Sequence, residues 1–245
     1  MRRFAFFSLA MFCAASHGDD IRLAVATNFA APMKHIALAF EQESSHKLRI
    51  SYGSSGKLFA QIQHGAPFHL FLSADQVKPQ RIEALGLGVQ GTRRTYAIGA
   101  LSLWSINDDN RLHPKARLMA DQYQRLALAN PKLAPYGEAA QAVLNALNVA
   151  QASRSKWVVG ENIAQAFQFV HSGNAQLGFI ARSQVSEIKN IGQVWHVPPE
   201  LHGPIKQDLI VLKQAASLTG VQELLNFLQS DTVALILKEY GYTTL

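Results

Sequence analysis

Two kinds of hydrophobic pattern alternate along this chain. Short apolar runs rich in branched residues, at 21–26, 48–52 and 69–73, predict strands, and helical spacing follows the first two. Met33, Ile36, Ala37 and Phe40 recur at i, i+3, i+4 and i+7, which puts them on one helix face. Leu58, Phe59 and Ile62 do the same on a helix beginning near Gly56. A long apolar run at 95–105, with Gly99 inside it, is too strand-like for a helix and marks where a new sheet can begin. A second series comes next, with strands expected at 125–129, 157–160 and 175–180 and helices at 137–147 and 163–170. Residues 196–205, with Pro198, Pro199, Gly203 and Pro204, read as a return crossing. A last strand at 209–212 precedes two helices, one carrying Val221, Leu224, Leu225 and Leu228, the other Val233, Ile236, Leu237 and Tyr240.

This order predicts an α/β fold of two lobes, each a mixed, mostly parallel sheet flanked by helices, joined by two hinge crossovers. The expected division is a signal segment at 1–18, a first lobe from 19–98 and 205–245, and a second lobe from 99–204. In such a fold the ligand cleft lies at the C-terminal ends of the strands, between the lobes.

Composition narrows the setting. Arg2 and Arg3, the apolar residues 4–15 and the small residues Ala14, Ser16 and Gly18 predict a secretory signal with a mature start near Asp19. The apolar run is too short for a stable membrane span. The single cysteine, Cys13, falls inside that signal, so neither a disulfide nor a thiol nucleophile is expected after export. Losing Arg2 and Arg3 lowers the formal charge from +6 to +4. The remaining basic residues are scattered, Arg93 and Arg94 being the densest pair, so nothing resembles a nucleic-acid surface.

The candidate chemistry lies at four strand-to-helix junctions: Ala26-Thr27-Asn28-Phe29, Gly53-Ser54-Ser55-Gly56, Ala134-Pro135-Tyr136-Gly137 and Gly160-Glu161-Asn162-Ile163. Backbone N–H groups in a first helical turn lack intrahelical partners, and with the helix dipole they attract anions. Any one junction serves equally as an ordinary cap; converging on one cleft, several could hold a dianion without a cationic side chain. Other motifs fail. Lys57 stands where a nucleophile elbow needs glycine, and Ser51 and Leu58 break a phosphate-binding loop. The histidines, His35, His46, His64, His69, His113, His171, His196 and His202, show no metal spacing and are expected at the surface or in loops. Lys57 is expected to be a solvated first-turn residue, and Asp75 to cap a helix starting near Gln76.

Several runs together are similar to the periplasmic molybdate-binding proteins of ABC importers, which are type II periplasmic solute-binding proteins. They are Ala24-Val25-Ala26-Thr27-Asn28-Phe29, Tyr52-Gly53-Ser54-Ser55-Gly56-Lys57-Leu58, Gly65-Ala66-Pro67 and Leu70-Phe71-Leu72-Ser73-Ala74-Asp75. Leu126-Ala127-Leu128-Ala129-Asn130-Pro131, Leu177-Gly178-Phe179-Ile180 and Lys238-Glu239-Tyr240-Gly241-Tyr242 continue the match over nearly the whole mature chain. The resemblance implies an exported, monomeric periplasmic protein that captures molybdate or tungstate and delivers it to a membrane permease. It implies no catalysis, no cofactor and no direct metal ligand. Carried over residue by residue, it assigns the oxyanion contacts to Thr27, Asn28, Ser55, Tyr136 and Ile163, the last through its backbone N–H. The family pattern places a tyrosine after the Leu-Gly segment, where this chain has Ala181, and the Tyr136 hydroxyl is expected to take that role. Phe68-His69 also departs from the pattern, which has a small residue and Asp there. The alternatives are a carrier of sulfate or another tetrahedral oxyanion, and an exported serine hydrolase using Ser55, a histidine and Asp75.

Overall fold

The computed structural model describes residues 18–106, 112–188 and 192–244. The expected signal segment, Gly18 excepted, lies outside the described residues. Strands β1 (Asp20–Ala26), β2 (Lys47–Gly53), β3 (Leu70–Leu72) and β4 (Arg94–Gly99) enter one sheet. Strands β5 (Leu101–Ser105), β6 (Leu126–Ala129), β7 (Trp157–Gly160), β8 (Leu177–Ala181) and β9 (Gln193–His196) build a second. The chain then returns through β10 (Ile205–Val211) to give the orders β2-β1-β3-β10-β4 and β7-β6-β8-β5-β9. In each sheet one strand opposes the rest, β10 in the first and β5 in the second. Both are the strands that immediately follow a crossing. The two-lobed, mixed and mostly parallel architecture is thus as expected.

The helices are α1 (Ala30–Glu43), α2 (Ser55–Gln63), α3 (Val77–Ala84), α4 (Pro114–Met119), α5 (Pro135–Ala146), α6 (Ala150–Ser153), α7 (Ile163–His171), α8 (Thr219–Phe227) and α9 (Asp231–Glu239). Strand pleating sends successive residues to opposite faces. Ile21, Leu23 and Val25 of β1 accordingly pack with Met33, Ile36 and Phe40 of α1 and with Leu224 and Leu237. Ala24 turns to the other face, against Leu58, Phe59 and Ile62 of α2. The second core joins Leu103, Leu128 and Phe179 to Val143 and Leu144 of α5 and Val170 of α7. Among the described residues no helix is long and apolar enough to cross a membrane.

The run at 95–105 holds the start of a new sheet, as expected: it is two strands in different sheets, separated by Ala100. Apolarity does not register that break, because Ala97 just before it and Leu101 just after it are both buried. Part of the expected return crossing is strand β9, and β10 begins at Ile205 rather than near 209. Its start is disguised by Gln207 and Asp208, which are polar yet wholly buried. The short α4 has no counterpart among the expected elements. Helix α5 starts at Pro135, the position where a missing N–H costs nothing. His46 and His69 lie in loops, as expected, but are buried rather than superficial, and each has partners. His46 Nδ1 accepts from the Asp19 N–H at 2.8 Å and its Nε2 meets Glu223 at 3.1 Å. His69 Nδ1 accepts from the Arg22 N–H at 3.2 Å. Burial, then the neighbouring Arg22 charge, holds the His69 pKa below the usual histidine value.

One close approach fixes α5 against the sheet: a Cβ on Gly137 would lie 2.3 Å from the Ala129 carbonyl oxygen, which is backbone and cannot step aside. Gly137→Ala is therefore expected to destabilise the ligand-free protein by about 2 kcal/mol. A lower urea midpoint with an unchanged far-ultraviolet circular dichroism spectrum is the expected result.

Candidate oxyanion site

Three helices start at the C-terminal ends of strands, and in each the first-turn donors are almost fully claimed. In α2 the Lys57 N–H donates to Ser54 Oγ at 3.3 Å, the Leu58 N–H to the Ser54 carbonyl at 3.0 Å, and the Gly56 N–H to the Leu133 carbonyl at 2.9 Å. That leaves Ser55 its backbone N–H to offer. Its Oγ accepts from the Ala74 N–H at 2.9 Å, so its hydroxyl proton is also free to donate. In α7 the Asn162 side chain accepts from Ala164 at 3.0 Å and Gln165 at 3.1 Å, leaving the N–H of Ile163. In α5 Pro135 has no N–H, while Gly137 and Glu138 donate to the Ala134 carbonyl at 2.8 and 3.1 Å. The remaining donor is the N–H of Tyr136.

These starts meet across the cleft. The Gly56–Leu133 bond joins the beginning of α2 to the loop before α5, and Lys57 Nζ pairs with Glu161 beside α7 at 3.0 Å. Thr27 and Asn28 lie in a single turn of 3₁₀ helix at the end of β1, against which α7 packs. Ser183 Oγ, from the second lobe, donates to the Asn28 carbonyl at 2.7 Å. The structure thus gathers Thr27, Asn28 and Ser55 from one lobe and Tyr136 and Ile163 from the other. All except Thr27 are buried. Lys57 is not simply solvated: it is exposed but ion-paired with Glu161 of the other lobe, which neutralises it.

Two side chains are committed elsewhere. The Tyr136 hydroxyl accepts from Gln207 Nε2 at 3.3 Å. That bond turns the hydroxyl toward the interior of the first lobe, where its neighbours are the Gln207 amide and the Gly99 backbone. Burial raises its pKa well above the usual tyrosine value. Asn28 Nδ2 likewise donates to Gln207 Oε1 at 2.9 Å and to Tyr242 at 3.1 Å, which leaves the backbone N–H as the donor Asn28 can give. Gln207, Tyr242, Tyr96 and Ser183, which surround these groups, carry no sequence signal of a site. Only Tyr242 lies within a recognisable run.

Asp75 accepts from the Lys78 N–H at 2.9 Å and is ion-paired with the Lys78 ammonium, so it caps α3 and orients no base. Among the described residues no histidine bonds Ser55, and no group of three His, Cys, Asp or Glu side chains could hold a metal. What the geometry offers is a set of neutral donors at helix starts that contacts between the lobes hold near one another, with Lys57 and Glu161 paired beside them.

Comparison with known proteins agrees with this chemistry. The family model described as bacterial extracellular solute-binding protein matches residues 21–243. The molybdate-binding protein ModA of Azotobacter vinelandii is 43% identical over 230 residues, covering 93% of this chain and 91% of the relative. ModA of Rhodobacter capsulatus is 40% identical over 225 residues, covering 92% and 88%. The solved structure of the Azotobacter vinelandii periplasmic molybdate-binding protein superposes with a TM-score of 0.88 at 31% identity, over 92% of this chain and 100% of that one. With two five-stranded sheets in place, these matches make the chain a binding protein rather than an enzyme, and it belongs to the bacterial extracellular solute-binding protein family.

Proposed function

We propose that this chain captures molybdate, and tungstate as its near-identical analogue, in the periplasm and hands it to the membrane permease of an ABC importer. The observation that carries the proposal is the donor inventory: α2, α5 and α7 each keep one unclaimed first-turn N–H, at Ser55, Tyr136 and Ile163. The Ser55 hydroxyl and the Thr27–Asn28 turn add to them. The two similar proteins named for molybdate support the ligand. We propose the lobes as 19–99 with 205–244, and 101–204, pivoting at Ala100 and at the 197–204 crossing.

A set of donors without acceptors favours a fully deprotonated tetrahedral dianion. Hydrogen phosphate would have to place its own O–H among these donors, where the Ser55 oxygen, already accepting from the Ala74 N–H, has a single lone pair left to offer it. Sulfate meets that electronic condition, and its discrimination falls to size. Titration calorimetry of ligand-free protein is expected to show molybdate and tungstate binding at least about a hundredfold, or roughly 2.7 kcal/mol, more tightly than sulfate. Equal affinities would make the chain a general oxyanion carrier.

The atoms assigned above rank two substitutions. Ser55→Ala removes a hydrogen bond to a charged ligand, worth about 1.5–3 kcal/mol, and should weaken molybdate binding roughly ten- to a hundredfold. Tyr136→Phe keeps the N–H and loses only neutral bonds of about 1 kcal/mol, so about fivefold is expected. The reverse order in calorimetry would put the Tyr136 hydroxyl, not its backbone, on the anion.

No proposed contact ionises near neutrality, and burial moves Tyr136 further from it. Affinity should therefore change by less than about threefold between about pH 6 and about pH 9. A fall centred in the histidine range would mean that an ionising side chain touches the ligand.

A further inference from the structure

We infer that Gln207 is a positioning residue that holds the two halves of the anion site in register, and that its neutral amide is required for the site to accept a dianion. This rests on the proposed function, and it concerns a residue that touches no proposed ligand atom.

Gln207 is wholly buried on β10, at the point where the chain has just returned from the second lobe. Its Oε1 accepts from Asn28 Nδ2 at 2.9 Å and from the Tyr96 hydroxyl at 3.0 Å. Its Nε2 donates to the Tyr136 hydroxyl at 3.3 Å. One side chain therefore grips a proposed contact residue from each lobe. The bonds continue through Tyr242, whose hydroxyl accepts from Asn28 Nδ2 at 3.1 Å and donates to the Asn28 carbonyl at 2.8 Å. Asn28 and Tyr96 donate to one end of the Gln207 side chain and its other end donates to Tyr136, a pairing that an amide makes and an ionised carboxylate, which has no donor, does not.

The backbone makes room for this arrangement. A Cβ on Gly99 would lie 2.1 Å from the Tyr136 hydroxyl and 2.4 Å from Gln207 Nε2. The β4–β10 register slips between Gln207 and Asp208, with Gln207 opposite Ala97 and Asp208 opposite Thr95, so Tyr96 is passed over and reaches the Gln207 amide. The titratable groups facing Gln207 are Tyr96, Tyr136 and Tyr242, all held protonated by burial. The nearby carboxylates are already paired, Asp208 with Arg93 at 2.8 Å and Asp75 with Lys78. Among the described residues, no cation is hydrogen-bonded to Gln207 that would neutralise a new negative charge there.

Gln207→Glu tests the inference, because a protonated glutamate reproduces the amide's shape and its one donor, whereas the ionised form removes the donor and adds a charge. Burial beside an anion raises such a carboxyl above its usual pKa of about 4.3. It is thus neutral at the acid end and charged at the alkaline end, and binding falls as pH rises. Mature protein at micromolar molybdate is titrated at about pH 5.5 and about pH 8.5, with Gln207→Met as the uncharged control and thermal unfolding of each ligand-free variant recorded. Wild type should hold its affinity at both values. Gln207→Glu should lie within about threefold of wild type at the acid end and lose at least about tenfold by the alkaline end, while Gln207→Met is weakened about fivefold or more at both. A Gln207→Glu profile parallel to that of wild type or of Gln207→Met would overturn the inference. If Gln207→Glu does not fold, Gln207→Met decides: wild-type affinity overturns the inference, and weakened binding at an unchanged melting temperature upholds it. Wild type that binds no molybdate at either pH would instead remove the proposed function itself.

Discussion

A helix cannot satisfy the N–H groups of its own first turn, and the way this chain disposes of them shapes everything around the cleft. Three helices solve the problem with different residues. Ser54 caps α2, with help from the Leu133 carbonyl of the other lobe. Asn162 caps α7 twice over. In α5 a proline deletes one donor outright and the Ala134 carbonyl takes two more. Each leaves one donor, and each is anchored on its sheet by buried apolar residues, so the donors are held in place before any ligand arrives. An anion bound there would find dipoles already oriented, without the reorganisation that water demands.

Such a site works only if its surroundings stay neutral, and the polar interior obeys that condition. The residues that tie the lobes together at depth are Asn28, Gln207, Tyr136, Tyr242 and Ser183, joined by hydrogen bonds among uncharged groups. Two charged contacts bridge the lobes. Lys57 meets Glu161, and Glu187 of the second lobe meets both His35 and the Tyr240 hydroxyl of the first. The Tyr240 and His35 contacts hold the Glu187 carboxyl below the usual carboxylate range. These rim contacts are exposed enough to be screened by salt and to break when the lobes part. The buried hydrogen bonds are different, because separating the lobes would open the Gln207–Tyr136 bond and leave both groups to be rehydrated.

The fold is largely legible in the sequence because burial and pleating leave a period that a reader can count. Ile21, Leu23 and Val25 against Ala24 is such a period, and so is the spacing of Met33, Ile36 and Phe40. Legibility stops where burial and polarity part company. Gln207 and Asp208 lie inside a sheet, and their side-chain partners stand between 71 and 179 positions away, so no local pattern announces them. His46 and His69 escape a sequence reading for the same reason: a histidine with two satisfied nitrogens or a backbone donor can be buried, and sequence does not display the partner. The candidate site is legible as a set of junctions, since capping residues and glycines occur in recognisable order. Which atom each residue offers is not, because that depends on which donors and acceptors are already taken.

Tyr136 serves two environments at once. Its position in the first turn of α5 suggests a hydroxyl aimed at an anion, yet the side chain runs into the hinge and fills the space that Gly99 leaves open. The residue therefore presents its backbone to the cleft and its ring to the crossing between lobes. Ala181, at the end of β8, is buried and hands its own N–H to Gln184 at 2.9 Å, so that strand end brings no hydroxyl to the site. The hydroxyl-bearing rings lie instead in the hinge, where Tyr136, Tyr96 and Tyr242 share Gln207 and Asn28. If the proposed contacts hold, placing the aromatic hydroxyls at the pivot exchanges a direct contact for rigidity: the donors at the cleft would be backbone groups and small hydroxyls, whose positions depend on how completely the lobes close.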